Sequence, residues 1–250
     1  MNTTIYFATN RQITSEGEFS DWCHPNMDEL RFGSVTFNGS ELYSKELEEF
    51  MNLGQVEVLP EDVAAGQFGS IDLFTRLQNI IRNKKKDVLI YIHGYNYSFR
   101  ESAARAAQMQ QLFAAAGKDI LVVLFAWPSR GEGIAPRTYS DDRTQAQVSG
   151  LALGRALLKV TDFIRATRRA DACFGSIHLM AHSMGNWALR WAIQSMRTFV
   201  GDTIPPLFDE VLLVAADEDD DTLSEPKMLT PLLRGARRIT VYFNHQDLAL

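Results

Sequence analysis

The chain is short of cysteine: Cys23 and Cys173 are the only two in 250 residues. Two thiols cannot build a disulfide framework, so a reducing compartment, the cytoplasm, is expected. Positive charge is in deficit. Lys+Arg total 25 against Asp+Glu 31, a formal net charge of −6. Nucleic-acid binding depends on neutralising phosphates, and an acidic chain is a poor candidate for it. Long hydrophobic runs are missing as well; the longest span about 8 residues, against the ~20 that a membrane-crossing helix needs. The opening stretch MNTTIYFATNR has no basic segment followed by an apolar one, so no signal peptide is expected. Repeats and low-complexity linkers are absent. What remains has an average globular composition, 46% hydrophobic and 22% charged, and reads as one domain over 1–250.

Five short apolar runs punctuate the chain: DVLIYIH (87–93), DILVVLFAW (119–127), SIHLMAH (176–182), EVLLVAA (210–216) and RITVYF (238–243). None alternates cleanly with polar residues. Continuous apolar strands of this length belong to a sheet covered on both faces, usually a parallel one. Helical segments lie between them, which predicts an α/β fold. Ser98 and Glu101 form a capping box before a helix with an apolar stripe of Ala103, Ala106, Met109 and Phe113, and Gly117 suits its end. A long helix is predicted over about 141–169, with Leu153, Leu157, Val160 and Ile164 on one face. Ala146, Gly150 and Gly154 fall four apart on a small face, for which close approach to the sheet is the expected reason. Nearer the N-terminus, 3–9, 34–38 and 56–59 read as strands and 71–83 as an amphipathic helix with Leu73, Leu77, Ile80 and Ile81 inward; 10–32 shows no usable period.

Residues 176–193, SIHLMAHSMGNWALRWAI, carry the sharpest chemical signal. A buried strand runs into Ala181-His182-Ser183-Met184-Gly185 and straight on into a helix. This is the small-x-Ser-x-small pattern of a nucleophile elbow, in which the positions two before and two after the serine must be nearly free of side chain. Ala181 and Gly185 meet that demand. The turn lifts the Ser183 hydroxyl above the sheet at a helix N-terminus, where orphan N–H groups and the helix dipole favour an oxyanion. One βαβ unit earlier, DVLIYIH ends in His93-Gly94-Tyr95-Asn96. Gly94 would let the backbone come close, with the Tyr95 N–H aimed at the oxyanion and the Met184 N–H as its partner. His93 precedes the active face and reads as structural.

The stretches IYFATNR, YIHGYNYSF, FAWPSRG, TYSDDR and LMAHSMGN, in that order, resemble a bacterial esterase- or lipase-like branch of the α/β-hydrolase superfamily. That resemblance implies a mostly parallel sheet with helices on both faces and a serine nucleophile. It names no substrate. The acid follows a later strand in this fold. Asp247, in FNHQDLAL after RITVYF, resembles the acid loop of the family and is favoured; Asp217, after EVLLVAA, is the alternative. Asp217, Asp219 and Asp221 also match the first ligand positions of a calcium loop, but Thr222 stands where Gly is needed and Met228 where Glu is needed. Neither a metal nor a cofactor is therefore expected.

The base is the missing member. The histidines are His24, His93, His178, His182 and His245, and in this fold the catalytic one follows the acid. None follows Asp247. His182 adjoins the nucleophile, but neighbours on a strand point to opposite faces. His245 alone sits in a loop at the active edge. The pattern reads as a chain lacking the last strand and helix, truncated at its C-terminus, or as a degenerate homologue; an uncovered edge would favour self-association. The segment 128–143 is expected to be irregular and to shape the pocket, with Tyr139 or Arg143 as polar contacts. Together these readings predict hydrolysis of a small carboxylic ester through an acyl-Ser183 intermediate, with a non-catalytic, hydrolase-like binding module as the rival.

Overall fold

The computed structural model describes residues 2–15, 17–27, 29–62, 64–84, 86–130, 136–170, 175–202 and 204–243. The chain runs through β1 (Asn2–Thr9), β2 (Arg11–Ser15), β3 (Glu18–Cys23), β4 (Arg31–Asn38), β5 (Gln55–Val58), α1 (Gly69–Lys84), β6 (Asp87–Ile92), α2 (Phe99–Ala115), β7 (Ile120–Ala126), α3 (Pro136–Ala170), β8 (Ile177–His182), α4 (Gly185–Val200), β9 (Glu210–Val214), α5 (Leu232–Gly235) and β10 (Ile239–Tyr242). Eight strands form one sheet in the order β10-β9-β8-β6-β7-β1-β4-β5. All neighbours from β10 to β1 pair in parallel; β4 and β5 join by antiparallel pairing. This is the α/β-hydrolase type of sheet. No helix among the described residues is long and apolar enough to cross a membrane.

The apolar runs become strands because helices cover both faces and no polar alternation is needed. On one face Leu73 and Leu77 of α1, Leu153 and Leu157 of α3 and Leu189 of α4 pack on Ile90, Ile92 and Leu179. On the other, Ala103 and Ala107 of α2 pack on Phe7, Val122 and Leu124. The Ser98–Glu101 capping box is formed in both directions, at 3.3 and 2.8 Å. Gly117 closes α2 with φ +74°, a conformation a side chain would oppose.

Three expectations need correction. Residues 11–23, without a usable sequence period, form the β2–β3 hairpin, whose pairing shifts register between Arg11 and Ser15. Irregular pairing of this kind blurs the two-residue period. Helix α3 starts at Pro136, so 136–143 is helical and not irregular, while 131–135 lie outside the described residues; a proline is tolerated in the first helical turn because its missing N–H has no acceptor there. The small face of α3 approaches α4, not the sheet. A Cβ on Gly150 would lie 2.4 Å from Trp191 Cβ, and one on Gly154 would lie 2.9 Å from the Ala192 carbonyl oxygen. Ile164 has a side chain outside the described set.

Strand register gathers the chemistry. Ala181 of β8 is level with Ile92 of β6 on one side and with Leu213 of β9 on the other. The turns that follow these three strands therefore meet at one edge of the sheet, the edge where ligands bind in open α/β folds.

Candidate active site

Ser183 follows the last residue of β8 and has φ +50°. For a residue with a side chain this left-handed conformation costs roughly 1–2 kcal/mol, so its surroundings must hold it. The Ser183 N–H donates to the Val214 carbonyl at 2.9 Å, and the Ser183 carbonyl accepts from the Asn186 N–H at 2.9 Å and the Asp217 N–H at 3.3 Å. Asn186 adds its side-chain amide, which donates to the carbonyls of Ser183 at 3.0 Å and Ala181 at 3.1 Å. Helix α4 begins at Gly185, two residues after the serine. The strand, strained turn and helix of the elbow pattern are all present.

Both small positions are closely packed. Ala181 is fully buried between β6 and β9. A Cβ on Gly185 would lie 2.6 Å from the His93 carbonyl oxygen and 2.8 Å from that of Ile92. Gly94 lies against Ser183: a Cβ there would be 3.0 Å from Ser183 Cβ and 2.7 Å from His182 Nδ1. Ser183 and His182 thus both border Gly94, although strand alternation predicts opposite faces. Alternation lapses because the strand ends at His182 and the backbone turns left-handed at the next residue.

Met184 is buried at the N-cap of α4. The Tyr95 ring meets the Tyr139 ring edge-on at 5.3 Å, and its hydroxyl is 2.9 Å from Thr138 Oγ1. His93 is fully buried and stacks on Trp127 at 5.0 Å. Its Nδ1 faces the Gly94 carbonyl at 2.8 Å and its Nε2 the Trp127 carbonyl at 3.0 Å. Burial, with nearby Arg11, lowers its pKa to about 3, against the two carbonyl contacts, which raise it. These contacts agree with the structural reading of His93.

Asp217 stands two residues past the left-handed Ala215 (φ +44°) and bonds the Ser183 carbonyl through its own N–H. Its carboxylate is 13% exposed and accepts from the Tyr139 hydroxyl at 2.7 Å, with Arg143 Nη2 3.9 Å away. Burial first, and then Asp217, push the Tyr139 phenol above its ordinary pKa. The neighbouring Glu218 pairs with Arg190 at 2.9 Å and accepts from the Thr222 hydroxyl at 3.0 Å; burial pushes its carboxyl up to about 7. Arg143 and Arg190 both lie over the Trp187 ring, at 3.9 and 4.7 Å. Asp221 faces Lys227 at 3.2 Å. Among the described residues no group of three or more His, Cys, Asp or Glu could hold a metal. Asp247 and His245 lie outside the described residues.

A cavity of about 500 Å³ opens beside Asp217, lined by Leu213, Ala216, Leu223, Val241 and Phe243 with Glu218 at its wall. Another cavity, about 740 Å³, lies by Arg31, Ser70 and Lys159, and neither cavity is lined by Ser183, Tyr95, Met184 or Asp217. Sequence reasoning missed Asn186, Arg11, Ser129 and Asp142, which support the site from behind. The only signal for them is that each falls inside one of the five recognisable stretches.

Residues 72–250 match the family model described as "Alpha/beta hydrolase of unknown function (DUF900)". Neither a curated protein nor a solved structure matches the chain.

Proposed function

Because it matches over residues 72–250, this chain belongs to the α/β hydrolases of unknown function, and on that premise we propose that it is a serine hydrolase cleaving small carboxylic esters through an acyl-Ser183 intermediate. The observation that carries the reading is Ser183 held at φ +50° between β8 and α4. A turn under that strain, kept by its surroundings, is characteristic of a nucleophile elbow.

In this reading the Ser183 hydroxyl attacks the ester carbonyl while an imidazole takes its proton. The oxyanion is received by the N–H groups of Tyr95 and Met184. The imidazole returns the proton to the departing alcohol, and water then releases the acid by the same steps reversed. Asp247 is proposed to orient the imidazole, with Asp217 as the alternative; the histidine that acts as base is not identified, His245 being a substitute candidate only. The cavity of about 500 Å³ flanks the Asp217 turn and is not lined by Ser183; its size lies within the ~300–1,000 Å³ of ordinary ligand pockets. The acidic composition and paucity of cysteine suit a cytoplasmic protein acting on a small molecule.

One observation favours a different reading, a non-catalytic module that binds a ligand on the same scaffold. The carboxylate beside the elbow, Asp217, is engaged by a phenol and a guanidinium. A fluorophosphonate probe separates the two, because only an activated serine reacts quickly. Labelling on Ser183, and its loss together with p-nitrophenyl ester hydrolysis in Ser183→Ala, is expected for the enzyme. An unlabelled parent chain would favour the binding module.

A further inference from the structure

Behind the turn that carries Tyr95 lies a buried polar network contributed by four separate parts of the chain. Asn96 has φ +65°, the left-handed region again, at a cost of roughly 1–2 kcal/mol. Its N–H donates to Ser129 Oγ at 2.8 Å, and the Tyr97 N–H is directed at the same oxygen at 3.4 Å. The Ser129 hydroxyl in turn donates to Asp142 Oδ2 at 2.5 Å. A hydroxyl has one proton and two acceptor sites, so all three are engaged and the oxygen can act only in this orientation. Asp142 also accepts from the Arg130 N–H at 3.1 Å. From the other side, Arg11 Nη2 donates to the Tyr97 carbonyl at 2.8 Å, and both of its terminal nitrogens lie 3.4 Å from the Ser129 carbonyl.

These groups are shielded from water. Arg11 is 1% exposed, and Ser129 and Asp142 are 0% exposed. A buried guanidinium or carboxylate is costly unless it is paired and hydrogen-bonded. Arg11 has its counter-charge in Asp21 at 2.8 Å and grips the Tyr97 carbonyl at the same distance. A buried, multiply hydrogen-bonded network of this kind fixes geometry, although Arg11 Nε and Asn96 Oδ1 have no hydrogen-bond partner among the described residues. Here it holds the turn by the N–H groups of 96 and 97 and by the carbonyl of 97, immediately next to the peptide that carries the Tyr95 N–H, the donor proposed for the oxyanion.

We propose that Arg11, Ser129 and Asp142 are positioning residues that fix the 95–97 turn and thereby aim the Tyr95 N–H at the developing oxyanion. The proposal rests on the serine-hydrolase reading of Ser183. None of the three residues touches the reacting atoms; they act through the turn. Removing an oxyanion donor outright typically costs ~10²–10³ in kcat. A donor kept but displaced by a fraction of an ångström costs less, about 10- to 100-fold.

The test compares the parent with Ser129→Ala and Asp142→Asn. Three quantities are read: the rate of Ser183 labelling by a fluorophosphonate, kcat and KM for a p-nitrophenyl ester, and Ki for an alkyl trifluoromethyl ketone, whose adduct carries the oxyanion. In Ser129→Ala we expect kcat to fall about 10- to 100-fold, KM to stay within about threefold, and Ki for the ketone to rise by the same factor as kcat falls. Asp142→Asn keeps the shape but loses the charge and should lie between the two. A purely structural role would not link kcat to ketone affinity. Should Ser129→Ala fail to fold, Asp142→Asn is judged by the same link, and amide exchange at Asn96 and Tyr97 should quicken more than at β6. Parental kcat in the variants, or a lower kcat with unchanged ketone affinity, would overturn the positioning role while leaving the Ser183 reading intact. A parent that does not label at Ser183 would overturn the hydrolase reading and the positioning role with it.

Discussion

Gly185 and His93 come so close that a Cβ on the first would lie 2.6 Å from the carbonyl oxygen of the second. The contact ties the start of α4 to the end of β6, and both partners at the collision point are backbone. Neither can rotate away, so relief requires moving a strand or a helix.

Gly185→Val should therefore be destabilised by about 3–5 kcal/mol, the upper range for a point change in a packed interior. Chemical denaturation measures this directly. A soluble variant with the parental midpoint would show that the elbow is not packed against β6 in this way.

Ser183 offers a test of strain that needs no substrate. In ordinary strand or helix positions Ala is more stable than Gly by roughly 0.5–1 kcal/mol. At φ +50° the order should reverse, with Ser183→Gly more stable than Ser183→Ala by about 1 kcal/mol. Both should lose fluorophosphonate labelling. If Ala proves the more stable of the two, the left-handed turn is wrong.

The assignment of the acid is checked by a pair of variants. Asp247→Asn should lower kcat by ~10⁴, as loss of the orienting carboxylate does in serine proteases. Asp217→Asn should instead be visible in the titration of Tyr139: with the neighbouring negative charge gone, the phenol ionises at lower pH, followed by tyrosinate absorbance. If Asp217→Asn carries the 10⁴-fold loss and Asp247→Asn does not, the two roles must be exchanged.

Glu218 gives the folded protein a pH dependence of definite sign. Burial raises its pKa to about 7 from an ordinary 4.5. Between these values the folded protein keeps a proton that the unfolded chain has released, so stability falls as pH rises, by at most ~1.36 kcal/mol per pH unit. The contribution is fully present below the unfolded value and is lost by the folded one. Glu218→Gln should flatten this slope in melting temperatures taken from pH 5 to pH 8. Parallel slopes for parent and variant would refute the assignment.

The parts of the fold written in short-range pattern were legible in the sequence. The runs that became β6 to β10, the Ser98–Glu101 cap and the Ala181–Ser183–Gly185 spacing all depend on neighbours within one or two turns. The parts that escaped depend on partners far along the chain. Gly150 and Gly154 show only that something comes close; that it is Trp191 and Ala192 requires knowing how α3 and α4 cross. Arg11 reads as a surface charge until the 97 and 129 carbonyls arrive from 86 and 118 residues away. The β2–β3 hairpin was hidden for a local reason, the register shifts that break its alternation.

Helix α3 touches every wall of the site. Its first turns supply Tyr139 to Asp217 and Asp142 to Ser129, and further along Gly150 and Gly154 lock it against α4, whose first turn carries the elbow. In mechanical terms α3 is a splint, binding the Ser183 turn, the Tyr95 turn and the Asp217 turn into one stiff frame. In the proposed hydrolase a substrate entering such a frame would be accommodated by side chains at its rim, such as Arg143 and Trp187, because no single wall could swing aside without carrying the other two with it.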